Sequence, residues 1–202
     1  MTQYEKIIKD NLKKIFQIPT QTLENNIKAK YSGESFYFKA FGQKCRITPD
    51  AIFLGEYYQA GPLGIVLSLY ASKSVSDELI IEPFKAYKSF PDTAPYVGAF
   101  STHTEHILVS KVESIESNMP LIYEKLDGTD APENLGGDFA FCLKPLPKIM
   151  LCYIFYRADE DFPASVTCLF SSNANSFLPN DALADAGEYS SKYILSLLES
   201  LG

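Results

Sequence analysis

The sequence predicts an α+β fold: one domain over residues 1–202, built on a largely antiparallel sheet with helices packed against it. Three observations carry that expectation. Strand-like runs come in consecutive groups, not in strict alternation with helices. Residues 149–156, IMLCYIFY, are apolar on both faces, as a central strand covered on both sides must be. Apolar residues make up 46% of 202, so the chain buries roughly 70% of its unfolded surface and needs no disulfide or structural metal.

Residues 3–17 alternate Lys6, Lys9, Lys13 and Lys14 with Ile7, Ile8, Leu12, Ile15 and Phe16, which predicts an amphipathic helix stopped by Pro19. A second helix is expected over 23–30, and 1–30 together form an N-terminal helical segment. Strands at 35–41 and 44–48 follow, joined as a hairpin through Gly42-Gln43, and Pro49-Asp50 begins another turn. Residues 63–73 read as a buried helix; a strand is the rival, because Ile65 and Val66 are β-branched. Leu79 to Tyr87 reads as a strand with Pro83 marking an edge or a bulge, and 88–98 as loop. Helical periodicity returns at 101–116, where Ser101 or Thr102 caps the start and Glu105 completes a capping box with Thr102. Pro120 breaks this helix or opens a second piece over 121–126, and 127–137 is loop by composition. Strands at 139–143, 149–156 and 166–170 come next. A last helix opens at Asn180 or Asp181 and runs to about 198, with Tyr193, Ile194, Leu197 and Leu198 inward, so 136–202 is a β-hairpin plus a C-terminal helix.

Lys plus Arg is 18 against 25 Asp plus Glu, a net charge of −7. A phosphate backbone is repelled by such a surface unless a local basic patch overrides the total, so no nucleic-acid partner is expected. The lysines at 6, 9, 13 and 14 form the one dense basic cluster in sequence, read as the solvated face of the first helix. No apolar run reaches the eighteen or so residues of a membrane span, and no signal peptide opens the chain; no membrane partner and a cytoplasmic location are expected. Cys45, Cys142, Cys152 and Cys168 lack metal-like spacing; Cys142, Cys152 and Cys168 lie in apolar, strand-like runs and read as small buried hydrophobes of a reducing compartment. Trp is absent, while 13 Tyr and 14 Phe supply core rings or, alternatively, an aromatic-lined pocket.

Three constellations could carry chemistry. His103 and His106 lie three apart on a predicted helix, one face of which they share. Asp159, Glu160 and Asp161 sit between two strands, where carboxylates bind hard cations or do acid–base work, or keep a turn wet. The polar bend from Ser171 to Ser176, with Asn175, offers donors at a strand end, or bonds that stabilise a turn. No nucleophile elbow, phosphate loop or zinc-binding helix motif is present, and neither a metal nor a cofactor is expected.

The stretch from Gly136 to Glu188 resembles the C-terminal signature of an uncharacterised prokaryotic domain-of-unknown-function family. The matching features are Pro145 and Pro147, the turn Asp159-Glu160-Asp161-Phe162-Pro163, Leu169-Phe170, Leu178-Pro179 and Asp181. The similarity extends more loosely over 20–198; Ser171 stands where the family often carries Asp after Leu-Phe. The resemblance implies the company of iron–sulfur modules of the corrinoid protein type. This chain lacks that cysteine-rich module, so what is implied is a corrinoid or iron–sulfur protein as partner. The function expected is a binding or accessory module linked to such methyl-transfer systems. The alternative is a small enzyme using the acidic-turn carboxylates with a nearby histidine.

Overall fold

The structure, a computed structural model, describes residues 1–201. Its strands form two five-stranded antiparallel sheets, not one. The first is a meander of β1 (Lys30–Ser32), β2 (Ser35–Ala40), β3 (Gln43–Ile47), β4 (Ile52–Leu54) and β5 (Tyr57–Tyr58), in chain order. The second has the order β6 (Lys85–Ala86), β10 (Ser165–Phe170), β9 (Ile149–Tyr156), β8 (Phe139–Leu146) and β7 (Gly128–Asp130). The doubly apolar run is thus the middle strand, as its composition requires. Leu151, Tyr153 and Phe155 enter the main core, while Cys152 and Ile154 join Cys142 in a smaller cluster on the other face, with Phe84 and Leu135 against it.

Helix α1 (Gln3–Ile15) opens with a capping box: the Thr2 hydroxyl accepts from the Glu5 N–H, and the Glu5 carboxylate accepts from the Thr2 N–H. Its stripe of Ile8, Leu12 and Ile15 is buried and its four lysines stay exposed. It packs on α3 (Pro62–Lys73), where Asn11 Nδ2 donates to Ser68 Oγ at 2.9 Å. The helix reading of this apolar run prevails because it spans twelve residues, too long for a strand. Helix α2 (Thr20–Ile27) ends three residues before its expected stop; Lys28 adopts a left-handed cap at φ 52°, which releases Lys30 to begin β1. The C-terminal α8 (Asn180–Glu199) lies over the second sheet, with Tyr153 Oη 3.0 Å from Ser191 Oγ. Ile194 is fully buried, while Tyr193, Leu197 and Leu198 are half-buried.

Several expected elements differ. Only Lys85 and Ala86 of the expected strand from Leu79 to Tyr87 join a sheet, because Pro83 has no N–H for a ladder and the Ile80 N–H donates to the Asn173 side chain instead. The helix expected from 101 starts earlier, at α4 (Val97–Phe100), runs through a π-helical turn over Ser101–His106, and continues as α5 (Ile107–Val109) and α6 (Val112–Ser117). No capping box forms at Thr102, since its surroundings are already helical; Glu105 instead accepts from Ser101 Oγ at 2.8 Å. Pro120 sits in the first turn of α7 (Met119–Leu126), and the loop after it contains β7. No side chain caps α8: its N-cap is Pro179.

Candidate functional site

Where the two sheets meet, local chain chemistry gathers lysines. The β2–β3 hairpin turns through Phe41 and Gly42 at φ 48° and 75°, the pair of positive values that a two-residue hairpin loop uses. Its tip is latched to the second sheet: the Phe41 N–H donates to the Pro145 carbonyl at 2.8 Å. Gly42 presses so closely on α7 that a Cβ there would lie 1.8 Å from the Lys125 carbonyl oxygen. This latch carries Lys39 to Asp127, the left-handed cap of α7, with Nζ 2.7 Å from Oδ1.

The β8–β9 hairpin contributes Lys144 and Lys148 from the other side. Lys148 is fully buried; its ammonium donates to the carbonyls of Val75 at 2.7 Å and Asp77 at 2.8 Å and lies 5.1 Å from the centre of the Phe177 ring. Burial holds its pKa below the ordinary lysine value, with repulsion from Lys28 adding to the effect. Lys148 therefore fixes the strap that follows α3, and with it Glu78, which pairs with Lys28 at 2.7 Å.

The result is a cleft of about 410 Å³ lined by Lys28, Lys39, Lys144, Lys148, Glu78 and Asp127, among others. Lys28 and Lys39 also border a shallower groove of about 510 Å³ over the first sheet, which adds Lys30, Tyr37 and Lys44. Six of the chain's 18 cations thus line one continuous depression against two carboxylates, on a molecule of net charge −7. Both volumes lie within the range of small-molecule sites. Lys28 and Lys39 are held by exposed ion pairs worth little in water, so their ammonium groups are exchangeable for a ligand anion. Lys30, Lys44 and Lys144 form no ion pair among the described residues.

None of the candidate site residues read from the sequence lines this depression. Asp159, Glu160 and Asp161 are exposed, and Asp159 Oδ1 accepts from the N–H groups of Asp161 (2.9 Å) and Phe162 (2.7 Å). That carboxylate builds its own turn, and no hydrogen bond links the three to a histidine among the described residues. His103 and His106 are exposed on the π-helical turn; His106 Nε2 lies 3.4 Å from Ser101 Oγ. Glu105, half-buried beside them, spends its other oxygen on the Cys168 N–H at 3.0 Å. Asn175 is exposed in a short 3-10 turn, while its neighbours Ser171 and Asn173 tie Met150 and the segment from Glu78 to Ile80. No group of three His, Cys, Asp or Glu side chains among the described residues is placed to hold a metal.

The sequence does not display the lysine depression, because its members are scattered over 120 positions and meet only in the folded chain. The available signal was alternation: Tyr37 and Lys39, then Lys44 and Arg46, all fall on the polar face of a hairpin whose other face is Phe36, Phe38 and Cys45.

Residues 19–193 match the model of a protein family described as Domain of unknown function (DUF3786). No curated protein and no solved structure matches the chain.

Proposed function

The chain belongs to the DUF3786 family, and we propose that it is a non-catalytic binding module that takes an anionic ligand along the lysine-rich seam between its two sheets. The observation that carries this reading is the convergence of six lysines on a chain with seven more acidic than basic residues. A cleft with an excess of one sign of charge, here six lysines against two carboxylates, focuses the field and draws in the opposite charge. The exposure of the acidic turn supports binding over carboxylate chemistry, since nothing desolvates those groups. A corrinoid or iron–sulfur protein is the protein partner class proposed for the chain. The four free, buried cysteines support a reducing, cytoplasmic setting. No helix among the described residues is long and apolar enough to cross a membrane.

Inorganic tripolyphosphate is a suitable probe. In a thermal-shift titration at low salt it stabilises the native protein by about 2.7 kcal/mol at a hundredfold excess over its dissociation constant. The shift falls with added salt and is lost in the Lys44→Gln/Lys144→Gln double variant. A shift that is absent at low salt, or unchanged in that variant, removes the seam as the binding site.

A further inference from the structure

We infer that the outer face of the first sheet binds single-stranded nucleic acid. The inference rests on the anion-binding reading and names the ligand of the same depression.

The register makes the argument. Lys30 pairs with Tyr37, Tyr37 with Arg46, Arg46 with Phe53, and Phe53 with Tyr58. Directly opposed residues in an antiparallel sheet point to the same side. Five side chains from five strands therefore form one row, alternating cation and ring before ending on two rings. At about 4.8 Å per strand the row spans roughly 19 Å. The opposite face, with Phe36, Phe38, Cys45, Ile47 and Leu54, is buried in the core, so this row is the sheet's outer surface.

The row is organised before any ligand arrives. The Arg46 guanidinium carbon lies 4.2 Å from the Phe53 ring centre, and Lys44 Nζ lies 4.6 Å from that of Tyr37. Phe53 and Tyr58 are 6.0 Å apart, centre to centre. Arg46, Lys30 and Lys44 form no ion pair among the described residues, so their charge is free for an incoming anion. Half-exposed Tyr58 and the planar guanidinium on Phe53 give flat surfaces on which unstacked bases lie. Lys30, Lys44, Lys39 and Lys28 then lead from this row into the seam, a track for the phosphates.

The composition decides between occupants. Protein interfaces are poor in lysine, whereas this surface is bordered by it. A duplex keeps its base faces stacked and would engage only the cations, leaving the rings unused; a single strand uses both. The net charge of −7, which argues against nucleic acid for the molecule as a whole, does not describe this face. The local patch that could override the total is here.

Fluorescence anisotropy tests the inference with labelled oligothymidylate and oligouridylate of about twelve residues, a matched duplex, polyglutamate and tripolyphosphate as competitors. The expected result is tighter binding of at least one single strand than of the duplex or polyglutamate. Lys30→Gln and Lys44→Gln each flatten the salt dependence by about 0.7 in log–log slope. Phe53→Leu and Tyr58→Leu keep apolar bulk but lose the ring, and each weakens binding about tenfold with the salt slope unchanged. Circular dichroism confirms that the variants are folded. Equal or tighter binding of the duplex, preference for polyglutamate, no binding of either single strand at low salt, or full affinity in both ring variants overturns the inference. If tripolyphosphate still binds in that case, the seam reading stands alone; if it too fails, both fall.

Discussion

Three residues test the energetics most simply. Phe155 is fully buried and its ring stacks 4.5 Å from Phe139 and 5.2 Å from Phe141. Phe155→Ala is expected to cost about 3–5 kcal/mol in urea unfolding, the usual cost of an emptied aromatic site. Lys148→Met preserves the apolar stem but leaves the Val75 and Asp77 carbonyls without their donor, for a loss of about 2–3 kcal/mol by the same measurement. Asp185 runs the other way. Burial raises its carboxyl pKa, and repulsion from Glu188 and Asp181 adds to this. A folded-state pKa above the unfolded one means that the ionised form penalises the native state at neutral pH. The penalty shrinks as pH falls through the raised folded value and is gone below the unfolded value of 3.8. Asp185→Asn is therefore expected to raise the melting temperature at pH 7, with the gain disappearing at pH 3; a loss of stability at pH 7 would contradict the assignment.

Among the elements, the π-helical turn over Ser101–His106 depends on its neighbour. Gly187 of α8 lets this turn approach so closely that a Cβ would sit 2.8 Å from the Phe100 ring and 3.1 Å from Thr104. Gly187→Ala is expected to cost about 1–3 kcal/mol by overpacking, read as a lower urea midpoint. This contact also shows why parts of the fold were hard to read in sequence. A π turn keeps near-helical periodicity, so 101–116 looked like one regular helix beginning at its cap. The strands at 149–156 and 166–170 were legible because a continuous apolar run has few alternatives, and the register Val166 to Phe155 confirms their pairing. β4 and β5 have three and two residues, too few to display alternation, yet they supply Phe53 and Tyr58. The row of rings and cations inferred on the first sheet is illegible for the same reason: it is a property of cross-strand register, not of spacing along the chain.

On the scale of the whole molecule, charge is segregated. The lysines of α1 form a solvated helix face, with Lys13 paired to Asp10 at 3.0 Å, whereas six others converge on the seam. That convergence depends on the latch between the sheets, so Gly42→Ala is expected to weaken both stability and tripolyphosphate binding, because the added methyl would drive the hairpin tip off the Lys125 carbonyl. Thermal denaturation and the binding titration check the two effects separately. The most direct measurement is a map of amide chemical-shift changes on titrating the labelled protein with tripolyphosphate at low salt. The account predicts shifts concentrated at Lys28 and Lys30, along β2 and β3, and at 144–148. Changes centred on the turn at 159–162 or on His103 and His106, or no saturable change anywhere, would contradict it.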